Sequence, residues 1–328
     1  MNPETISIVI EWENVLLAEM ARCRKMLREL RRQILLLANS GPNVPGVSFE
    51  VLVVHDETVV ETVRIERELE RELPAAPGLA VRCLAARDLH YYELKNFGAR
   101  HSRGAVIVFL DSDVVPEADW LRNLLGCFDD PKIQVAGGST YVDPAGVWGK
   151  ALALTWFFPL RSAESGMAEV PNFYANNVGF RSETFAKFPF PKLGETSRGA
   201  CVKLAAILRQ NGISIHRQAG AWVNHPPPDG LRHLAVRGLV HGRDELLGRR
   251  AARGRASTGK EIASQASRCL KELARSLNTI VRHRRKVGLP LVQTPVAVAI
   301  ALAYYQFRLA GGLMTHVMPG IMTRHFRI

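Results

Sequence analysis

Two carboxylates stand one residue apart in VIVFLDSDVVPEADWL, Val106 to Leu121, directly after six apolar or small residues from Ala105 to Leu110. The plain reading of Asp111-Ser112-Asp113 is a polar turn between strand and helix, with Pro116 at the first helical position. The chemical reading is a divalent-cation site serving a diphosphate. Mg²⁺ or Mn²⁺ prefers carboxylate and phosphate oxygens, and one or two protein carboxylates plus substrate commonly hold it. One intervening residue lets both side chains leave a bent strand end toward one ligand. A calcium-binding EF-hand is excluded, because Pro116 and Arg122 occupy the positions where that loop needs Gly and Glu.

The surrounding elements place the pair. Ile6 to Ile10 reads as a strand, followed by a long helix with a one-sided apolar stripe through Leu16, Met20, Cys23, Leu27, Leu30, Ile34 and Leu37. Asn39 to Ser48 is a loop, and Phe49 to Val54 a second strand ending at His55-Asp56-Glu57. A charged helix follows from about Thr58 to Leu73, then a strand from Leu79 to Leu84 and a helix from Tyr91 to Ser102. Strands that are near-continuous apolar runs alternating with helices describe a parallel sheet covered on both faces. Ligands bind such sheets at the carboxyl ends of the strands, where Asp56, Asp111 and Asp113 all stand.

Beyond Asp130 the pattern changes. Ile133 to Val142 reads as a strand, Gly149 to Leu160 as an apolar helix, Asn172 to Arg181 as extended, Val202 to Gln210 as helical and Ile213 to Arg217 as a strand. Leu231 to Leu247 is a predicted helix, Arg249 to Arg255 a basic linker, and a further amphipathic helix begins at Thr258. The expected organisation is a catalytic domain over 1–228, with halves 1–130 and 131–228, and a helical, basic and apolar extension over 229–328.

Lys plus Arg number 43 against 31 Asp plus Glu, a net charge of +12 that suits an anionic partner. The basic runs lack interleaved aromatics, so nucleic acid is not the expected one. Five scattered cysteines, without a CxxC pair, argue against a disulfide framework or zinc site and favour a reducing compartment.

The order of these segments resembles the family-2 glycosyltransferases of the GT-A fold. ISIVIEWEN matches that family's first strand and Asn-containing turn loosely, and VLVVHDE its second strand with an acidic end. The basic-Asn-x-Gly segment is matched by Lys95-Asn96-Phe97-Gly98, and the DxD block by HSRGAVIVFLDSDVVPEADWL. YANNVGFRSETF, Tyr174 to Phe185, and GISIHRQAGAWVNH, Gly212 to His225, look like later family segments, so the resemblance spans about Ile6 to His225. It implies an α/β GT-A fold: a Rossmann-like, mostly parallel sheet flanked by helices, with a C-terminal helical extension.

The resemblance further implies a nucleotide-diphosphate-sugar donor, a hydroxyl acceptor and a Mg²⁺ or Mn²⁺ cofactor. Asp56 would contact the base, Asp111 the ribose or sugar, and Asp113 the metal, with His225 completing the metal or diphosphate contacts. Glu13 joins the donor-binding set, and Asn176 and Asn177 would line the donor-sugar pocket or satisfy backbone groups in a turn; Lys95 and Arg100 are candidates for phosphate neutralisation. Glu11-Trp12-Glu13-Asn14 departs from the family's first turn, and Trp12 is a candidate to stack on a base. The family's Glu-Asp pair is replaced by Ser197-Arg198-Gly199-Ala200; the nearest acid, Glu195, is the expected catalytic base, with Asp229 or another acid as base, or weak catalysis, as the alternative.

From Val296 to Tyr305 the chain is apolar, but Pro295 to Phe307 falls short of the roughly 20 residues of a bilayer helix. Basic runs at Arg249 to Arg255 and Arg282 to Lys286 precede it. Peripheral attachment to an anionic leaflet is the expectation, at the cytoplasmic face of the membrane, with a lipid-linked or growing-glycan acceptor. The alternatives are packing on the catalytic domain or a dimer interface. For function, the alternatives are an inactive nucleotide-sugar-binding homologue and a nucleotidyltransferase.

Overall fold

The computed structural model describes residues 5–16, 19–39, 47–194, 196 and 198–318. They divide into two units. The first comprises Met1–Tyr141, Arg161–Lys192 and Ala200–His225; the second comprises Val142–Leu160, Leu193–Gly199 and Pro226–Ile328.

In the first unit, β1 (Thr5–Glu11), β2 (Ser48–Asp56), β3 (Leu79–Ala86) and β4 (Val106–Asp111) pair in parallel in the order β3-β2-β1-β4. Parallel neighbours need crossovers, supplied by α1 (Met20–Ala38), α2 (Thr62–Glu72) and α3 (Tyr91–Arg100). The order reverses between β1 and β4, so a crevice opens at their carboxyl ends. There Glu11 and Asp111 stand opposite each other in register.

The stripe on α1 buries Cys23, Met26, Leu27, Leu30 and Ile34 against this sheet's core. Each such side chain contributes about 1.5–3 kcal/mol of apolar burial. The helix starts at Met20 rather than Leu16, because the preceding residues wind into a 3₁₀ turn, Asn14–Leu16. Trp12 is buried in the same core and is not available to stack on a base.

Parallel pairing ends at β4. The rest of the nine-stranded sheet comprises β5 (Val115–Pro116), β6 (Val135–Val142), β7 (Met167–Glu169), β8 (Asn177–Arg181) and β9 (Ile215–His225). The pairs β4–β8, β6–β8, β5–β9 and β7–β9 are antiparallel. Helices α4 (Trp120–Leu125), α6 (Ser182–Lys187) and α7 (Ala200–Gln210) belong to this unit.

The second unit is helical: α5 (Gly146–Thr155), α8 (Gly230–Arg253), α9 (Thr258–His283) and α10 (Thr294–Val317). The predicted basic linker is mostly helix. Arg249 and Arg250 continue α8 because Glu245 and Glu261 pair with them, at 3.4 and 2.8 Å, and Gly254 (φ 76°) ends it. The final helix also exceeds its predicted span. Leu291–Val317 is long and apolar enough to cross a membrane by length and composition.

Arg308 does not break α10, because it is buried among α8 and α9 and pairs with Glu245 (2.8 Å) and with Glu272. Burial works against its charge, but these carboxylates more than offset it and hold its pKa above the ordinary arginine value. Gly242 lies so close to the Arg308 backbone, and Gly311 to that of Leu239, that neither has room for a Cβ. Beside this network burial lowers the His241 pKa to about 4, so the ring that contacts the Tyr304 hydroxyl (2.6 Å) is neutral at pH 7.

Candidate donor-binding site

The site assembles from four strand ends and one helix. Gly98 allows α3 to lie against β1 and β2, since a Cβ there would sit 2.5 Å from Val9 and 2.8 Å from Val54. A capping box between His90 and Glu93 fixes the helix start. Tyr91 and Lys95, one helical turn apart, then reach the same carboxylate. Lys95 Nζ donates to Asp111 Oδ1 at 2.6 Å, and the Tyr91 hydroxyl lies 2.9 and 2.8 Å from the two oxygens. The ammonium also sits 4.8 Å from the centre of the Tyr91 ring. Lys95 is fully buried, and in this structure its ammonium is paired with Asp111.

The other Asp111 oxygen accepts from Asn14 Nδ2 (3.0 Å), and the same amide donates to Glu11 Oε1 (2.9 Å). Glu11 Oε2 accepts the backbone N–H groups of Glu13 and Asn14, at 2.7 and 3.1 Å. These bonds shape the turn after β1 and place half-buried Glu13 beside the cluster. Burial first, and the charge of Asp111 second, push the Glu11 carboxyl well above the usual range.

Ser112 is buried, and its hydroxyl oxygen accepts the Val15 N–H at 3.0 Å. Past it, β5 pairs Val115 with Asn224 on β9, which brings His225 alongside Asp113. Arg22, at the start of α1, donates to the carbonyls of Asp113 (2.6 Å) and Asn224 (2.7 Å). Asp113 Oδ2 lies 4.0 Å from His225 Nε2, whereas Oδ1 is buried without a hydrogen-bond partner. Burial raises the Asp113 pKa; His225 pulls against that shift and Asp111 adds to it.

A divalent cation fits this arrangement. Glu11, Asp111 and Asp113 are buried together, with Lys95 the buried ammonium among them, and a buried carboxylate oxygen without a partner is costly. Among the described residues no group of three or more His, Cys, Asp or Glu side chains is arranged to hold a metal. Asp113 and His225 would hold a cation whose remaining ligands come from elsewhere, as suits Mg²⁺ or Mn²⁺.

Other predicted residues lie differently. Asp56 spends its carboxylate on the Thr58 N–H and hydroxyl (2.8 and 2.7 Å) and the Leu89 N–H (3.1 Å). Burial works against its charge, and these donors win, lowering its pKa. In this conformation Asp56 ties the loops after β2 and β3 together. Asn177 is fully buried; its Oδ1 accepts from Trp120 Nε1 (2.7 Å) and its Nδ2 donates to the carbonyls of Ser139 and Ala221 (3.0 Å each). It is a bracket between strands, closed to a donor sugar in this arrangement. Asn177→Ala is expected to cost roughly 2 to 3 kcal/mol by orphaning buried polar groups, read as a lower urea midpoint. Asn176 is buried and accepts from Thr140, and Arg100 is exposed at the far end of α3. Glu195 lies outside the described residues.

A groove of about 590 Å³ along Arg28, Arg31, Arg32 and Arg71 includes none of the site residues. Arg28 and Arg71 there pair with Glu72, and Arg32 with Glu29. It lies toward the carboxyl ends of α1 and α2, away from the strand ends that carry the carboxylates.

A β3-β2-β1-β4 half-sheet with carboxylates at its reversal point, continued by antiparallel strands, defines the GT-A class of glycosyltransferase folds. Residues 21–194 match the family described as Glycosyl transferase family 2, and the chain belongs to that family. Two solved structures share the fold. One is the mannosyltransferase PcManGT from Pyrobaculum calidifontis in complex with GDP-Man and Mn²⁺ (14% identity, 98% of this chain and 88% of that one, TM-score 0.53). The other is residues 1–349 of S. aureus TarS in complex with UDP-GlcNAc (13% identity, 95% and 92%, TM-score 0.51). No curated protein matches the chain.

Proposed function

We propose that this chain is an inverting, metal-assisted transferase that moves a sugar from a nucleotide-diphosphate-sugar to a hydroxyl acceptor. The observation that carries the reading is the buried, partnerless Oδ1 of Asp113 beside His225 and a fixed Asp111. Family membership supports it, as do the GDP-Man, UDP-GlcNAc and Mn²⁺ in the similar structures.

Asp111 is held by three donors, and a carboxylate accepts about four hydrogen bonds. It therefore retains room for one donor-sugar or ribose hydroxyl, in an orientation that Lys95, Tyr91 and Asn14 fix in advance. Asp113 and His225 would hold Mg²⁺ or Mn²⁺, which when bound neutralises charge gathering on a departing diphosphate. Glu195 takes the proton of the acceptor hydroxyl, whose oxygen attacks the anomeric carbon opposite the leaving group and inverts it.

The deciding experiment incubates the protein with Mn²⁺, a panel of nucleotide-sugars and hydroxyl acceptors, and measures released nucleoside diphosphate. Glu195→Gln is expected to slow release by roughly 10²- to 10⁴-fold while donor binding by calorimetry is unchanged. Donor binding with no release from any combination would replace the enzyme by a nucleotide-sugar-binding homologue. Unaltered release by Glu195→Gln would move the base elsewhere.

A further inference from the structure

The second unit presents a face that the proposed reaction does not use. On α10 the positions turned toward α8 and α9 are buried: Ala297, Ile300, Ala301, Tyr304, Tyr305, Arg308, Gly311, Gly312 and Thr315. The opposite side remains apolar yet open. Val292 is 83% exposed, Val317 74%, and Val296, Leu302 and Leu313 lie between them along the helix at 37–49%. Ala299 and Gln306 fill the same row, so one uncharged polar side chain interrupts a stripe several turns long. Burying such a row in a partner or an apolar phase is favourable, and soluble surfaces seldom carry one without a use.

Charge decides what covers it. After Glu272 the chain has no acidic side chain through Met318, whereas Arg275, Arg282, Arg284, Arg285 and Lys286 precede the stripe directly. Arg285 and Lys286 are exposed, and Leu291 follows within a few residues at 69% exposure. A second copy would bring one basic cluster toward another with no acidic residue of this segment to answer it. An anionic lipid surface answers both features at once: phosphate headgroups meet the basic cluster, and the acyl boundary receives the stripe. A spanning course fits less well, because Arg308 at mid-helix is tied to Glu245 and Glu272 on α8 and α9.

We propose that the α10 stripe from Val292 to Val317, with the Arg282–Lys286 cluster, is a docking surface for an anionic lipid leaflet, on which α10 lies flat. This goes beyond the transfer reaction and does not depend on it.

The test is sedimentation of the full chain with vesicles of phosphatidylcholine alone or with one third phosphatidylglycerol. Binding is expected to the anionic vesicles and to fall as salt rises, since the headgroup attraction is screened. The triple change Arg282→Gln, Arg285→Gln and Lys286→Gln removes three exposed charges and is expected to weaken binding roughly 100-fold. Val292→Glu with Leu302→Glu alters exposed positions only, so folding by circular dichroism is retained while vesicle binding is lost. Absence of binding to anionic vesicles, or binding indifferent to both sets of changes, overturns the proposal. A dimer in light scattering that the Glu pair splits, without vesicle binding, assigns the stripe to a second copy instead. Release of nucleoside diphosphate is scored on the same variants, so failure of the docking surface and failure of the catalytic reading are read apart.

Discussion

Asp113→Asn is expected to reduce Mn²⁺-dependent release of nucleoside diphosphate by roughly 10²- to 10³-fold. The substitution keeps the size and burial of the side chain, so the fold and the Arg22 contact with the backbone oxygen remain. It replaces a buried, partnerless carboxylate oxygen, with its charge, by a neutral amide. The loss appears as weaker Mn²⁺ binding and lower turnover together. Asp111→Asn probes a different property. Lys95 would be left buried without its counter-charge, so that variant is expected to lose stability as well as activity. Full metal-stimulated turnover by Asp113→Asn would remove Asp113 from the cation's ligands.

The second large effect lies in the helical unit. Arg308→Met is expected to cost roughly 1 to 3 kcal/mol, because it removes the buried guanidinium that joins Glu245 and Glu272, while Glu245 keeps Arg249 (3.4 Å) and Arg268 (3.0 Å) and Glu272 reaches solvent. Replacing all three by apolar residues of similar volume is expected to recover most of that loss, since a well-packed apolar core can match a buried ion network. Urea unfolding monitored by helical circular dichroism reads both. A triple variant no more stable than Arg308→Met would show that the network fixes the helix register as well as balancing charge.

The parallel half of the fold was readable because each strand is an apolar run that ends in charge, and the helices between carry plain periodicity. The DxD turn followed from that pattern together with the family resemblance. The rest of the cluster was harder to see. Tyr91 could have been found, since it stands four residues before Lys95 on one helix face, but nothing local shows that both turn inward to one carboxylate. Glu11 looks like a solvated turn residue in sequence; its burial comes from the β1–β4 register. Lys95 and Asn177 have the chemistry of ligand-binding groups, and the sequence gives no sign that both are fully buried and hydrogen-bonded to Asp111 and to neighbouring strands.

The helical continuation through Arg249 and Arg250 rests on Glu245 and Glu261, the latter on the following helix. A basic run read alone gives no hint of it. The second unit also takes in Val142–Leu160 and Leu193–Gly199 besides the chain after Pro226, a gathering that no linear boundary expresses. Strand β5 is two residues long, too short for any periodic signal, although its pairing sets Asp113 beside His225.

That ladder has a consequence for how this enzyme's relatives can diverge. Val115 and Pro116 on one side, Val223 and Asn224 on the other, and the Arg22 guanidinium on the carbonyls of Asp113 and Asn224 together set the gap between Asp113 and His225. A change in the first turn of α1, or in which residue follows Val115, would alter that gap while leaving Asp113 and His225 themselves unchanged. If Asp113 and His225 hold a cation as proposed, metal preference would be open to adjustment by mutations outside that pair, and two chains with the same Asp and His could differ in which cation serves them.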